Sequence, residues 1–171
     1  MTRAWFVAIG DDMTNQTDNT AAVISALEGG PSLIIPMLRD MPPENLKRRP
    51  SPKKWSAHEH ACHLGMVHGL FFERLERMLR EDGARVVPYD PDSEPEDMLI
   101  TMDLDATLAK FAKERAEILV KIRALTPAQW QRTAQHPDYS RYTVFIMFRH
   151  LELHDKLHGY RIEELAYKKD W

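Results

Sequence analysis

Apolar residues recur along this chain at intervals of three and four rather than two, the spacing of helices buried along one side. Leu108, Phe111, Ile118 and Ile122 mark such a face between Asp105 and about Leu125. A second runs from Thr143 to about Tyr167, its inward stripe being Val144, Phe148, Leu151, Ile162 and Leu165. A third carries Leu64, Val67, Phe71, Leu75 and Met78. Ser56 is placed to cap that helix, Glu59 three residues on completes a capping box, and the helix is expected to end near Glu81, before Gly83.

The N-terminal part is less regular. "TAAVISALE" (20–28) reads as a helix stopped by Gly29, Gly30 and Pro31. Pro31 then opens a second stretch, "PSLIIPMLRDM", which Pro36 kinks or breaks. "PPENLKRRPSPKK" (42–54) and "QHPDYSRYT" are loops, and "GARVVPYDPDSEPEDM" (83–98) is a long crossover. Thr126 and Pro127 start a short turn that holds Trp130. "RVVPY" is the only strand candidate, and its proline interrupts it. The expected fold is all-α, a bundle of four main helices with a long crossover connection. Residues 1–18 are expected to be an N-terminal extension and a candidate for disorder, and 19–171 a single domain.

Composition narrows the function classes. A formal net charge of −3 argues against a partner held through nucleic-acid phosphates. No apolar run is seen to approach the roughly 18 residues that would span a bilayer, so no membrane association is expected. The opening "AWFVAIG" is short and lacks a cleavage pattern, so it does not read as a signal peptide. The single cysteine, Cys62, excludes an intramolecular disulfide and suits a reducing cytoplasm. Leu153 and Leu157 fall away from the inward stripe of the last helix, which points to a homodimer face or to packing from the N-terminal region.

Seven of the eight histidines fall in two groups, at 58, 60, 63, 68 and at 150, 154, 158. On the last helix His154 and His158 project within the inward stripe, with His150 at its flank. Two histidines four residues apart and facing a bundle core have metal-ligand spacing. The competing reading is a hydrogen-bonded polar seam that binds nothing. Periodicity does not choose a third ligand from the other group: its stripe is centred closer to His60, with His63 near the edge. His58 and His68 are expected to be solvent-facing or loosely buried.

Several segments, in their order, resemble the DinB-like (DinB/YfiT-like) superfamily of metalloenzymes. They are "ALEGGPSLIIPMLRDMPPENL", "RRPSPKKWSAHEHACHL", "RMLREDGARVVPYDPD", "LTPAQWQRT" and "HPDYSRYTV" with "HLELHDKLHGYRI". The resemblance implies a metal held by His63, His154 and His158, thereby choosing His63 over His60. His150 matches a variable position and becomes a candidate to support the ligands. Relatives often have glutamine where this chain has Arg161, which makes Arg161 a candidate substrate contact that favours an anionic ligand; the stronger reading is a solvated surface arginine.

Three neutral imidazoles suit zinc, nickel or iron(II) and leave positions open. Glu59, one turn before His63, and Asp155, beside His154, are further candidates to orient a ligand or take a proton. For Glu59 the capping role is the stronger reading. The expected function is a metal-dependent enzyme acting on a small molecule. The favoured reaction transfers a low-molecular-weight thiol cosubstrate to an electrophile, as the resemblance implies. The alternative is hydrolysis by metal-bound hydroxide, and the alternative of another class is a metal-binding stress-response bundle without turnover.

Overall fold

The computed structural model describes residues 13–88, 95 and 97–169, with side chains from residue 19. Four long helices dominate it: α1 (Met13–Arg39), α3 (Ala57–Arg80), α5 (Leu104–Arg123) and α7 (Val144–Ala166). Single-turn helices α2 (Pro43–Leu46), α4 (Met98–Thr101) and α6 (Pro127–Trp130) lie in the connections. Two-residue strands β1 (Ala84–Arg85) and β2 (Ala134–Gln135) pair in parallel, so the weak strand signal around "RVVPY" leaves only this trace. The expected 1–18 extension lies mostly outside the described residues, and α1 begins within it.

The expected caps of α3 and α7 form, and α5 has one beyond those expected. Ser56 accepts from the Glu59 amide while the Glu59 carboxylate accepts from the Ser56 amide, 2.8 Å, closing the capping box at the start of α3. Asp103 caps α5 and Thr143 caps α7. Each satisfies an amide that the first helical turn leaves without an intrahelical partner.

Two apolar clusters build the core, and their order along each helix gives the helix directions. One cluster takes Leu27 from α1, Leu75 from α3, Ile118 from α5 and Phe148 from α7. The other takes Leu38, Leu64, Phe111 and Ile162 from the same helices. Along α1 and α7 the first cluster precedes the second; along α3 and α5 it follows. The first and last helices are therefore parallel, and so are the middle two. Each middle helix packs on one of the outer pair and on its fellow, with α1 against α7 and α5 and α3 against α5 and α7. Returning to the same end after α3, a helix about 36 Å long, is what the crossover from 81 to 103 accomplishes.

α1 corrects two expectations. It runs unbroken through Gly29, Gly30, Pro31 and Pro36 instead of stopping at the glycines. Pro31 has no amide to give to the Leu27 carbonyl one turn back. That carbonyl instead accepts from Arg115 Nη1 on α5, 2.7 Å. The same guanidinium nitrogen donates to Asp155 on α7, 2.6 Å, and both side chains are buried. A β-carbon at Gly30 would lie 2.8 Å from the Asp155 carboxylate, so the glycine makes room for this ion pair. The break signals in the sequence are thus a notch in a continuous helix. Second, the Asn19–Arg39 segment is long and apolar enough to cross a membrane by length and composition, contrary to the reading that no such run exists. Here it packs on α5 and α7, with Val23, Leu27, Ile34 and Leu38 buried.

Candidate metal centre

Between the two apolar clusters the bundle carries a polar layer. His63 comes from α3, and His154 and His158 come from successive turns of α7, the helix that packs on it. One ligand atom from each lies within 4.8 Å of the others. The Nε2 atoms of His63 and His154 are 3.0 Å apart, and those of His154 and His158 are 3.1 Å apart.

Hydrogen bonding does not give both short contacts a full bond at once. A neutral imidazole nitrogen carries either one proton or one lone pair. His154 Nε2 has one proton to give or one lone pair to offer, so a well-formed bond to one neighbour uses it and the other contact can only share it. A cation that receives a lone pair from each nitrogen removes the conflict. Two imidazole nitrogens on one zinc ion at tetrahedral geometry lie about 3.3 Å apart, close to both separations. Burial lowers His63 and His154 to about 4, and burial with the neighbouring histidines lowers His158 to about 2. All three are neutral at neutral pH, the form that ligates.

The surroundings hold the rings in place. Trp55 sits against His63 at 5.0 Å between ring centroids and stacks on His158 at 6.0 Å. His60 Nδ1 lies 2.8 Å from His158 Nδ1. If the His158 Nε2 lone pair faces the cluster, its proton is on Nδ1 and is donated to His60. His60 is therefore the hydrogen-bond partner of a cluster member and stands outside the cluster itself.

Two cavities adjoin this arrangement. The larger, about 690 Å³, is lined by Trp55, His60 and Arg161 but by none of the three clustered histidines. The smaller, about 240 Å³, is lined by His63 and His154 directly.

The sequence profile of the DinB superfamily matches residues 26–162. The chain belongs to the DinB superfamily. An Oceanobacillus iheyensis protein named "Putative metal-dependent hydrolase" is 23% identical over 148 residues, covering 86% of each chain. The structure of YfiT from Bacillus subtilis, described as a probable metal-dependent hydrolase with an unusual four-helix bundle topology, superposes with a TM-score of 0.80 at 22% identity. The match covers 100% of this chain and 94% of that one.

Within this DinB-superfamily bundle the other candidates fall as follows. His150 is exposed and lines the smaller cavity beside His154. Arg161 lines the larger cavity and pairs with Glu164 at 2.6 Å. Glu59 and Asp155 each have other partners. Glu59 holds its capping box and accepts from Arg49 Nε at 2.9 Å. Burial alone would raise the Glu59 carboxyl, but Arg49 and the Ser56 amide and hydroxyl outweigh it and hold it below the usual range. Asp155 faces away into the pair with Arg115. His58 and His68 are buried, not solvent-facing. His68 Nε2 accepts from Arg115 Nε at 3.1 Å, and its ring rests on Phe111. A lone arginine within the apolar α5 stripe was the available signal for such a partner, and the sequence reading passed over Arg115.

Proposed function

We propose that this chain is a metal-dependent hydrolase of small esters, amides or similar groups, with His63, His154 and His158 as the metal ligands. The observation that carries the reading is the convergence of three neutral Nε2 atoms, those of His63 and His154 at the wall of the smaller cavity, with two short contacts that one proton or lone pair on His154 could only share. When bound there, a divalent ion of the zinc, nickel or iron class supplies Lewis acidity and lowers the pKa of water toward about 7.

The chain's own residues do the remaining work. His60 fixes the tautomer and ring angle of His158, and Trp55 covers the cluster on the side of the larger cavity. The smaller cavity is where substrate meets the cluster, because His63 and His154 line it. His150, one turn before His154 on the same cavity, is the base placed to receive a proton there. In the overall reaction water's hydroxyl goes to the acyl carbon and its remaining proton to the leaving group.

Thiol transfer, placed slightly ahead by resemblance, now stands second. The relatives found are described as hydrolases, which favours the hydrolytic reading. The test is metal content by mass spectrometry on untagged protein, followed by a screen of chromogenic esters and of thiols with electrophiles. Near-stoichiometric metal, lost in His63→Ala and His154→Ala, with metal-dependent ester turnover, is the expected result. Wild type that stays metal-free after incubation with zinc, nickel or iron(II) would end the proposal.

A further inference from the structure

The smaller cavity has an unequal lining. His63, Val67, Phe71 and Arg74 follow one another at three- and four-residue steps along α3, with Leu70 beside Phe71, so they share one face of that helix. The face begins at the histidine cluster, continues as an apolar wall and ends at a permanent cation. Long helical side chains lean back toward the N-terminus, which for Arg74 is toward His63.

Arg74 is incompletely used by the protein. Its Nη2 donates to the Val87 carbonyl at 2.6 Å. Its Nε is buried and has no hydrogen-bond partner in the structure, and Arg74 makes no ion pair among the described residues. Arg74 also hydrogen-bonds the Tyr142 hydroxyl oxygen, which partly offsets the rise that burial gives this phenol, so Tyr142 stays protonated with its own O–H to donate. Among the described residues the one carboxylate on this cavity is Asp138, which is exposed and lies 3.9 Å from His136. A guanidinium with no carboxylate partner among the described residues, next to a phenol with its own O–H to give, is a donor pair for an oxyanion. Arg74 is the one permanent cation among the described lining residues, and a single positive charge suits a carboxylate better than a phosphate dianion.

We propose that the smaller cavity takes a short carboxylate-bearing ester or amide, with the carboxylate on Arg74 and Tyr142, the chain along Val67 and Phe71, and the scissile carbonyl at the His63–His154 end. This rests on the hydrolase reading for the reaction, but the anion site stands on its own lining. Arg74 is then the residue that selects the substrate.

The probes are succinate, the product such an ester would release, and its neutral analogue succinamide. Both are titrated calorimetrically into the zinc-loaded full-length protein, wild type and Arg74→Gln, with inorganic phosphate as a further arm. Succinate should bind wild type about tenfold or more tighter than it binds Arg74→Gln, the loss expected for one charge-assisted pair. Arg74→Lys, which keeps the charge without the fork, should fall between them. In parallel, the ratio of kcat/KM for the hemisuccinate over the acetate ester of 4-nitrophenol should favour the hemisuccinate in wild type and fall toward one in Arg74→Gln. Succinate binding that is equal in wild type and a normally melting Arg74→Gln overturns the anion site and leaves hydrolysis standing. Arg74-dependent succinate binding with no turnover of either ester retains the anion site and removes the hydrolase reading. Phosphate binding tighter than succinate, with the same Arg74 dependence, overturns the choice of a carboxylate. Should Arg74→Gln fail to fold, Arg74→Lys carries the binding comparison, and succinate bound as tightly as by wild type overturns the proposal.

Discussion

His60 and His63 lie three residues apart on α3 and have different work, although both stand near the same helix face. Nε2 of His63 meets the α7 histidines, whereas Nδ1 of His60 meets the back of His158. Periodicity alone could not separate them, because a helical face is wide and the distinction depends on which ring nitrogen points where. The family resemblance brought out His63; the partnership of His60 became visible only with α7 packed against it. It makes a direct prediction. His60→Ala removes the acceptor of the His158 Nδ1 proton and should weaken zinc binding about 10- to 100-fold. His60→Asn, whose amide oxygen can replace an Nδ1 acceptor, should recover most of the loss. Competition with a chromogenic chelator measures both, and a His60→Ala protein that binds zinc as wild type does would show the hydrogen bond to be incidental.

At the scale of elements, α1 was the helix whose sequence misled. Gly29, Gly30 and Pro31 are stop signals by local rules, and local rules fail where a neighbouring element satisfies what the helix gives up. Arg115 takes the carbonyl that Pro31 cannot use, and Gly30 leaves room for Asp155. The helices α3, α5 and α7 were legible because their stripes, and the caps of α3 and α7, need no partner to be recognised. Asp155→Ala should cost about 3–5 kcal/mol, since it leaves the Arg115 guanidinium buried and unpaired. Gly30→Ala, whose methyl group meets the carboxylate, should cost about 1–3 kcal/mol. The double variant should cost less than the two together, because the methyl group then has no carboxylate to displace. Urea unfolding of the four proteins measures the coupling. Strict additivity would mean that the glycine serves some other contact.

For the whole molecule, the hydrophobic pattern supplied the helices but not their directions. Either direction of a helix presents the same stripe; the long 83–98 segment was the one sequence feature consistent with two parallel middle helices. The resulting topology stacks a polar layer between two apolar clusters and places five histidines in or beside it. Their titration sets how stability responds to pH. Burial is the largest cause that lowers each of them: His60, His63 and His154 to about 4, His68 to about 3 and His158 to about 2. In the unfolded chain all five return to about 6.5. Between these limits the unfolded chain binds more protons, so the stabilisation is complete above pH 6.5 and declines as the pH falls toward the folded values. Metal-free protein should therefore lose thermal stability progressively between pH 6.5 and pH 4. Zinc at 100 times its Kd should add about 2.7 kcal/mol at pH 7.5. That increment should shrink as protons compete for the same nitrogens. Melting curves from pH 8 to pH 4, with zinc and with chelator, separate the two effects. A chelated protein whose Tm is flat from pH 7 to pH 5 would contradict the buried neutral cluster. A zinc increment that did not fall with pH would place the ion on groups other than histidine.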